Sequence, residues 1–190
     1  MKNLLEKQGF TPIEISDFIA NATHIQCPKK TVLLKEGDIS RTFYYAQKGI
    51  FRAGFTDRND NQLTRAFFSP TRSPFVMSYT SFIFQRPSLS FLDALEDGEL
   101  FAWDYDYMIQ LQENNVKWAL FLREQLDFVF SAREIKEWQA YMLTAEERYL
   151  AFLEQFPELA HQIPLHYIAS YIGITPEALS RIRRRLAKNK

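Results

Sequence analysis

The sequence is poor in cysteine and histidine, and these shortages exclude several kinds of site. Its one cysteine, Cys27, cannot form an intramolecular disulfide and falls short of the four thiolates that an iron–sulfur cluster takes. A single thiol is typical of a reducing compartment, and we expect a cytoplasmic protein. None of the three histidines lies between residues 31 and 103, where short strands are predicted, so a cupin-type metal centre is not expected.

Long apolar runs and catalytic motifs are also missing. No run approaches the length of a membrane span, and the first ten residues lack the apolar core of a signal peptide. No glycine-rich phosphate loop occurs, and no local motif pairs a nucleophile with a histidine. We therefore predict a protein with no membrane partner, no enzymatic activity, no metal and no cofactor.

The net charge of the whole chain is zero, but the charge is distributed unevenly. Residues 176–190 have six basic residues and one acidic residue, a net charge of +5, whereas residues 1–175 have 17 basic and 22 acidic residues, a net charge of −5. A basic tip on an acidic body favours a polyanionic partner for the tip alone. The alternative is an ordinary solvated run of charge.

Residues 163–186 have the pattern of a helix-turn-helix. Ile168, Ala169 and Ile172 lie at helical spacing on one face, and the small residue at 169 allows a second helix to cross closely. Gly173 can adopt the positive φ that ends a helix within a tight turn. The pattern predicts two helices joined at this glycine.

The second helix of this motif has a nearly complete start signal. Thr175 is the predicted N-cap, Pro176 fits the first helical position, and a carboxylate at Glu177 favours the positive end of the helix dipole. Ile174 and Leu179 can pack across the cap as a hydrophobic staple. We therefore expect the helix to begin at residue 176.

The outer face of this second helix has hydrogen-bond donors, acceptors and positive charge. With Leu179, Ile182 and Leu186 facing the core, the outer face is left to Glu177, Ser180, Arg181 and Arg184. Such a face suits a recognition helix in the major groove of DNA. The alternative is an ordinary pair of antiparallel helices with a basic, solvated end.

The pattern upstream of this motif changes twice. Residues 1–23 predict one or two short amphipathic helices, and residues 24–103 predict short strands, as in an antiparallel sandwich or barrel. Strands are expected at residues 31–35, 42–47, 50–56, 62–68, 89–95 and 100–103. No glycine or proline occurs from Glu99 to Phe156, so we expect helix beyond the last strand, with a capping box at 144–147 that starts a new helix.

The long helical stretch has two apolar stripes. One comprises Ala119, Leu122, Leu126 and Val129, and the other comprises Trp118, Phe121, Phe128 and Ile135. One stripe could cover the β-region, which leaves the other to the same helix of a second copy in a two-fold dimer. A helix buried on both sides within one monomer is the alternative.

The predicted fold class is α+β, in three parts. We expect an antiparallel β-roll with short N-terminal helices in residues 1–104. A long connecting and dimerisation helix is expected in residues 105–142, and a small all-α helix-turn-helix domain in residues 143–190.

This order of elements resembles the Crp/Fnr (catabolite activator) family of bacterial transcription regulators. The likeness is carried by residues 163–186, by the run 44–49 and by residues 87–97. Members of that family are homodimers that bind a pseudo-palindromic operator, and an effector in the cyclic-nucleotide-binding-like β-roll sets the DNA-binding state. The resemblance therefore implies double-stranded DNA, a second copy of the chain and RNA polymerase as partners.

The resemblance also implies roles for single residues of the helix-turn-helix. Glu177 and Arg181 match the family's base-reading residues, and Ser180 lies on the same outer face. His166, Thr175, Arg184 and Lys188 are better assigned to phosphate contacts. Pro176 departs from the family, since it has no donor at a position that is often used to read bases. The chain also ends within a few residues of the second helix, so we expect the family's β-hairpin wing to be absent.

The family's cyclic-nucleotide cassette is not kept in this sequence. It consists of a Gly-Glu pair followed by an Arg-Ser pair, and the matching positions here hold Met77, Ser78, Ser88 and Leu89. We therefore expect no binding of cyclic AMP or cyclic GMP. Ser78, Arg86 and Ser88 are candidates for a different, unidentified effector, and an exposed turn arginine is the alternative for Arg86.

Two functions are consistent with these patterns. The first is a dimeric, sequence-specific DNA-binding regulator. The second is a ligand-binding or scaffold dimer whose helical tail contacts another protein. Salt-dependent binding to duplex DNA distinguishes the two.

Overall fold

The computed structural model describes residues 1–188, so Lys190 of the basic tip lies outside the described residues. The helices are α1 (Lys2–Lys7), α2 (Pro12–Ala20), α3 (Tyr79–Phe84), α4 (Tyr105–Asn114), α5 (Val116–Met142), α6 (Ala145–Gln155), α7 (Leu159–Gln162), α8 (Leu165–Ile172) and α9 (Pro176–Lys188). The strands are β1 (Thr23–Cys27), β2 (Val32–Leu34), β3 (Thr42–Lys48), β4 (Phe51–Thr56), β5 (Gln62–Phe68), β6 (Phe75–Val76), β7 (Phe91–Ala94) and β8 (Gly98–Asp104). Within residues 1–188, none of the helices combines the length and the apolar content that a membrane crossing needs.

The strands form two antiparallel sheets with the orders β1-β8-β3-β6 and β2-β7-β4-β5. Both sheets contribute side chains to one apolar core, in which Phe51, Leu92 and Leu100 are fully buried. Burial of such side chains from two sheets is the usual source of stability in this architecture. The antiparallel β-roll expected from the sequence is confirmed.

Three elements of the β-region were not expected from the sequence. Strand β1 pairs with β8 from Thr23 opposite Ala102 to Cys27 opposite Gly98, and Cys27 is its only fully buried residue. Strand β6 has two residues and helix α3 has six. Elements this short or this polar lack the hydrophobic periodicity on which prediction rests, and contacts with neighbouring elements decide their structure.

An aromatic cluster joins the N-terminal helices to the β-roll and to α5. Helix α2 begins at a capping box formed by Thr11 and Glu14. Phe18 of this helix stacks on Trp103 of β8 with ring centroids 4.3 Å apart, and Trp103 Nε1 donates to the Phe18 carbonyl at 2.8 Å. Trp118 of α5 lies 4.3 Å from the Phe18 ring as well. These contacts fix the first half of α5 to the β-roll.

The single helix expected over residues 105–142 is broken at Asn115. This residue is extended, with φ −146° and ψ 104°, and its side chain accepts a hydrogen bond from Lys117 N at 3.0 Å. Asparagine is a favoured N-cap, so a new helix starts there although the stretch contains no glycine or proline. The expectation of one uninterrupted helix was wrong because it considered only glycine and proline as breaks.

The fully buried apolar side chains of α5 all lie in its first half, although Val116 and Leu120 in that half are exposed. Trp118, Phe121 and Leu122 are buried against the β-roll, whereas Phe128 and Ile135 are exposed. Each of the two predicted stripes therefore has buried residues near the start of the helix and exposed residues further on. The exposed apolar side chains of the second half are Phe128, Val129, Phe130, Ile135, Trp138, Tyr141 and Met142. Neither predicted stripe is therefore wholly covered or wholly exposed, which differs from the expectation of one covered and one free stripe.

The C-terminal helices pack around a core that includes two residues of the β-roll. Thr144 and Glu147 form the predicted capping box, and α6 starts directly after it. Ile50 and Phe67 of the β-roll belong to the same apolar cluster as the helical residues. The rings of Phe67 and Phe152 pack edge to face with their centroids 6.2 Å apart. The helical domain is therefore docked on strands β4 and β5, in addition to its connection through α5.

Candidate nucleic-acid interface

The turn between α8 and α9 has the geometry that the sequence predicts. Gly173 is left-handed, with φ 73° and ψ 41°, and the amides after the helix donate back to it, from Gly173 N to Ser170 O at 3.2 Å and from Ile174 N to Ala169 O at 3.0 Å. Such bonds satisfy carbonyls that the end of a helix leaves free. Ala169 is completely buried, as expected for a close crossing of two helices.

Helix α9 begins at the predicted N-cap. Thr175 Oγ1 accepts a hydrogen bond from Ala178 N at 3.2 Å. Hydrogen bonds from the Glu177 backbone amide and from the Thr175 hydroxyl hold the pKa of the Glu177 carboxyl below its ordinary value. The Glu177 side chain is therefore ionised near neutral pH and lies at the positive end of the helix dipole.

The two faces of α9 differ sharply in burial. Leu179 and Ile182 are buried and Leu186 is partly buried. All the residues that sequence analysis assigned to DNA are exposed, namely His166, Thr175, Glu177, Ser180, Arg181, Arg184 and Lys188. Their side chains are therefore free to meet a partner, and all but His166 belong to α9 or its cap.

The positive charge of α9 is only partly neutralised within the chain. Arg181, Arg184, Arg185 and Lys188 line one shallow cleft. Arg185 is paired with Glu146 of α6, a contact that no local sequence pattern indicated and that fixes α9 to α6. Within residues 1–188, no carboxylate lies within 4.0 Å of the other three cations. These three charges face solvent and suit a polyanion.

The candidate effector residues do not form a site for a cyclic nucleotide. Ser88 Oγ lies 2.7 Å from Ser78 Oγ, and Ser90 Oγ lies 3.4 Å from Ser78 Oγ, so three buried hydroxyls bond to one another. Arg86 is exposed, and its guanidinium carbon lies 5.8 Å from the centroid of the Phe84 ring. A cyclic phosphate needs a cation, and these serines offer none, so the residues present do not fit the group.

The docking of the helical domain on the β-roll was not found from the sequence. Ser170 Oγ of α8 accepts a hydrogen bond from Thr64 N of β5 at 2.8 Å. The Arg52 guanidinium of β4 lies 4.4 Å from the Tyr167 ring centroid, and Lys136 Nζ of α5 lies 3.6 Å from that of Tyr171. The first helix of the helix-turn-helix is thus held on the sheet and on α5 by one hydrogen bond and two cation–π contacts.

Comparison of the sequence with protein-family models gives no match, and comparison with curated proteins gives none either. Solved structures do match. FixK2 from Bradyrhizobium japonicum superposes with a TM-score of 0.77 at 19% identity, over 88% of this chain and 85% of that chain. A protein assigned to the crp/fnr family of transcriptional regulators, from Eubacterium rectale, gives 0.74 at 13% identity over 95% and 85%. The chain has the Crp/Fnr fold.

A further structure extends the comparison. CLP from Xanthomonas campestris, a c-di-GMP responsive global regulator, superposes with a TM-score of 0.71 at 19% identity, over 92% of this chain and 91% of that chain. The similarity of fold therefore extends over the β-roll, the connecting helix and the helix-turn-helix of this chain. The resemblance inferred from the sequence motifs is confirmed for the fold.

Proposed function

We propose that this protein is a sequence-specific DNA-binding transcription regulator with α9 as its recognition helix. The observation that carries the proposal is the division of α9 into a buried apolar face and an exposed cationic face, directly after a helix-turn-helix turn. Arg181 can donate in bidentate fashion to guanine, and Glu177 can accept from cytosine N4, with Ser180 between them. Phosphate contacts are assigned to His166, Thr175, Arg184 and Lys188.

The proposed regulator acts as a homodimer formed through the second half of α5. Seven apolar side chains between Phe128 and Met142 are exposed there in the single chain. The same helix of a second copy would cover them, as in other two-fold helix pairs. The two α9 helices would then read two half-sites one DNA turn apart, about 34 Å, in a pseudo-palindromic operator.

The effector of this regulator has a chemistry other than that of a cyclic nucleotide, or the β-roll has no effector. The bonds among the buried serines argue for this, because hydroxyls that satisfy one another offer little to a ligand. The proposal also includes RNA polymerase as a partner of the protein. Co-purification of the polymerase with the operator-bound protein is its test.

Selection of bound sequences from a random pool of DNA duplexes tests the DNA proposal. The purified full chain should enrich an inverted repeat, and binding to that repeat should weaken steeply as salt rises from about 50 to 200 mM. Equal binding to the enriched repeat and to shuffled DNA at every salt concentration would contradict sequence reading. No binding to duplex DNA at all would contradict the whole proposal.

A further inference from the structure

Three cationic residues, Arg65, Arg133 and Lys136, belong to the region where α5 lies against β5 and α8. Lys136 Nζ donates to the Arg65 carbonyl at 2.8 Å and lies over the ring of Tyr171. Arg133 precedes Lys136 by three positions on α5, so the two side chains project to the same side of the helix. We refer to Arg65, Arg133 and Lys136 as the junction cations.

The junction cations have no counter-charge within the described residues. None of the three lies within 4.0 Å of a carboxylate in residues 1–188, and the Nε atom of Arg65 is buried without a hydrogen-bond partner. The neighbouring strand offers a contrast. Its buried Arg52 bonds to Asp93 through two nitrogens and to Gln62 through one of them. The charge of Arg52 on β4 is thus balanced by Asp93. The charge of Arg65 on β5 is not balanced by any carboxylate that the structure describes.

Burial and mutual repulsion make the charges of Lys136 and Arg65 unfavourable where they lie. Burial, and then the positive charge of Arg65, lowers the pKa of Lys136 to about 7. Burial, and then the charge of Arg133, also lowers the pKa of Arg65. An anion between these groups would replace mutual repulsion by charge-assisted hydrogen bonds, which are about twice as strong as neutral ones.

We propose that the junction cations bind a small phosphate-bearing anion. A phosphate group offers several acceptor oxygens and more than one negative charge, and the guanidinium fork matches it in geometry. Arg133 is exposed, so the cluster opens to solvent on one side. Lys136 and Tyr171 place the anion beside α8, where it would hold the helical domain against the β-roll. This site does not depend on the proposed reading of DNA.

Calorimetric titration of the full chain with pyrophosphate, at constant ionic strength set by chloride, tests this site. The wild type should bind, and its thermal unfolding midpoint should rise with pyrophosphate concentration. Lys136→Met and Arg65→Met should each weaken binding at least about tenfold, the loss of one charge-assisted contact. Lys136→Met removes a charge that has no counter-charge in the described part of the chain, so this variant should fold. It therefore still tests the site if Arg65→Met does not fold.

The cleft of α9 is the competing place for pyrophosphate, and Arg184→Ala is the matched control. This variant should bind pyrophosphate as the wild type does, because Arg184 is not part of the junction. Loss of binding in Arg184→Ala with binding kept in Lys136→Met would overturn the proposal and assign the anion to α9. A wild type that does not bind millimolar pyrophosphate would overturn it as well.

Discussion

The Arg52 guanidinium lies 4.4 Å from the centre of the Tyr167 ring, so the first helix of the helix-turn-helix covers a buried charge of the β-roll. Arg52 Nε and Nη2 donate to the Asp93 carboxylate, while Nη1 has no hydrogen-bond partner. Thr64 Oγ1, in the same interface, is also buried and unpaired. Interfaces with unsatisfied polar atoms are weaker than apolar ones, so we expect the helical domain to separate from the β-roll more readily than either part unfolds.

Asp93→Asn should destabilise the protein by about 3–5 kcal/mol, because it leaves the Arg52 charge buried without a counter-charge. The double variant Arg52→Met/Asp93→Leu should cost less than Asp93→Asn, since both charges are then gone. Urea unfolding followed by tryptophan fluorescence measures both. Asp106→Asn is the control, because its pair with Arg41 is exposed on both sides and should contribute under about 1 kcal/mol. If Asp93→Asn and Asp106→Asn lose the same free energy of unfolding, helix α8 does not bury the Arg52 charge in solution.

Lys136→Met should gain stability over the wild type at pH 7 and lose that advantage as the pH rises. The pKa of Lys136 is about 7 in the folded chain and 10.5 ordinarily, so above pH 7 the unfolded chain holds a proton that the folded chain does not. Wild-type stability therefore rises with pH in this window, and the advantage of the variant should shrink by roughly 2–4 kcal/mol between pH 7 and 10.

The measurement is urea unfolding of both proteins in phosphate-free buffer, so that no anion fills the junction. Lys35→Met, at an exposed lysine of the β-roll, serves as the control and should differ from the wild type by the same amount at both pH values. A difference between Lys136→Met and the wild type that does not change with pH would mean that Lys136 is not buried in solution.

Gly173→Ala should destabilise the helical domain by about 1–2 kcal/mol, because alanine is strained at a φ of 73°. Gly173→Asn should cost less, since asparagine tolerates the left-handed region. Nothing lies within 4 Å of the added Cβ, so the difference between the two variants reports backbone strain alone. Thermal unfolding compares them, and equal stability of the alanine and asparagine variants would contradict the turn geometry.

The features that the sequence predicts well are local. The N-cap at Thr175, the capping box at 144–147 and the left-handed Gly173 each depend on a few adjacent residues, and each is found. The docking of α8 on β5 depends on residues more than a hundred positions apart, such as Thr64 and Ser170, and no short pattern encodes it. Arg52 offered one signal, since an arginine inside the apolar run of residues 50–55 indicates either an exposed strand face or a buried ion pair.

The candidate effector residues show a second limit of sequence reasoning. The sequence revealed that the charged cassette is missing at Ser78 and Ser88, but not that their hydroxyls bond to each other and to the Ser90 carbonyl. Alignment reports which residue types occupy a site, whereas mutual satisfaction depends on side-chain geometry. The mixture of buried and exposed residues within each stripe of α5 was hidden for the same reason, because helical periodicity does not show where the neighbouring β-roll ends.

Val129→Glu should break the proposed dimer. Val129 is exposed in the single chain, so a carboxylate there costs little in the monomer but would be buried without a partner between two helices. Leu122 is a poor choice, because it is buried in its own β-roll and a charge there would unfold the monomer. Sedimentation velocity at micromolar concentration should give a dimer for the wild type and for Leu89→Glu, an exposed control outside α5, and a monomer for Val129→Glu. A monomeric wild type would contradict the assembly.

Arg181→Ala and Lys188→Ala should weaken DNA binding in different ways. Arg181→Ala should cost about 1–3 kcal/mol on the selected operator and relax base preference at one position in each half-site, because it removes a bidentate contact to a base edge. Lys188→Ala should weaken binding to all sequences alike and reduce the salt dependence by about one unit of slope, since a phosphate contact carries no sequence information.

Fluorescence anisotropy on the operator and on shuffled DNA, over a series of salt concentrations, separates these two effects. Lys35→Ala, which removes an exposed charge on the β-roll, should bind both DNAs as the wild type does. If Arg181→Ala and Lys188→Ala instead lower binding equally on operator and shuffled DNA, α9 attracts DNA by charge alone. Arg181 would then have no access to base edges, and the recognition helix would have to be sought elsewhere on the helical domain.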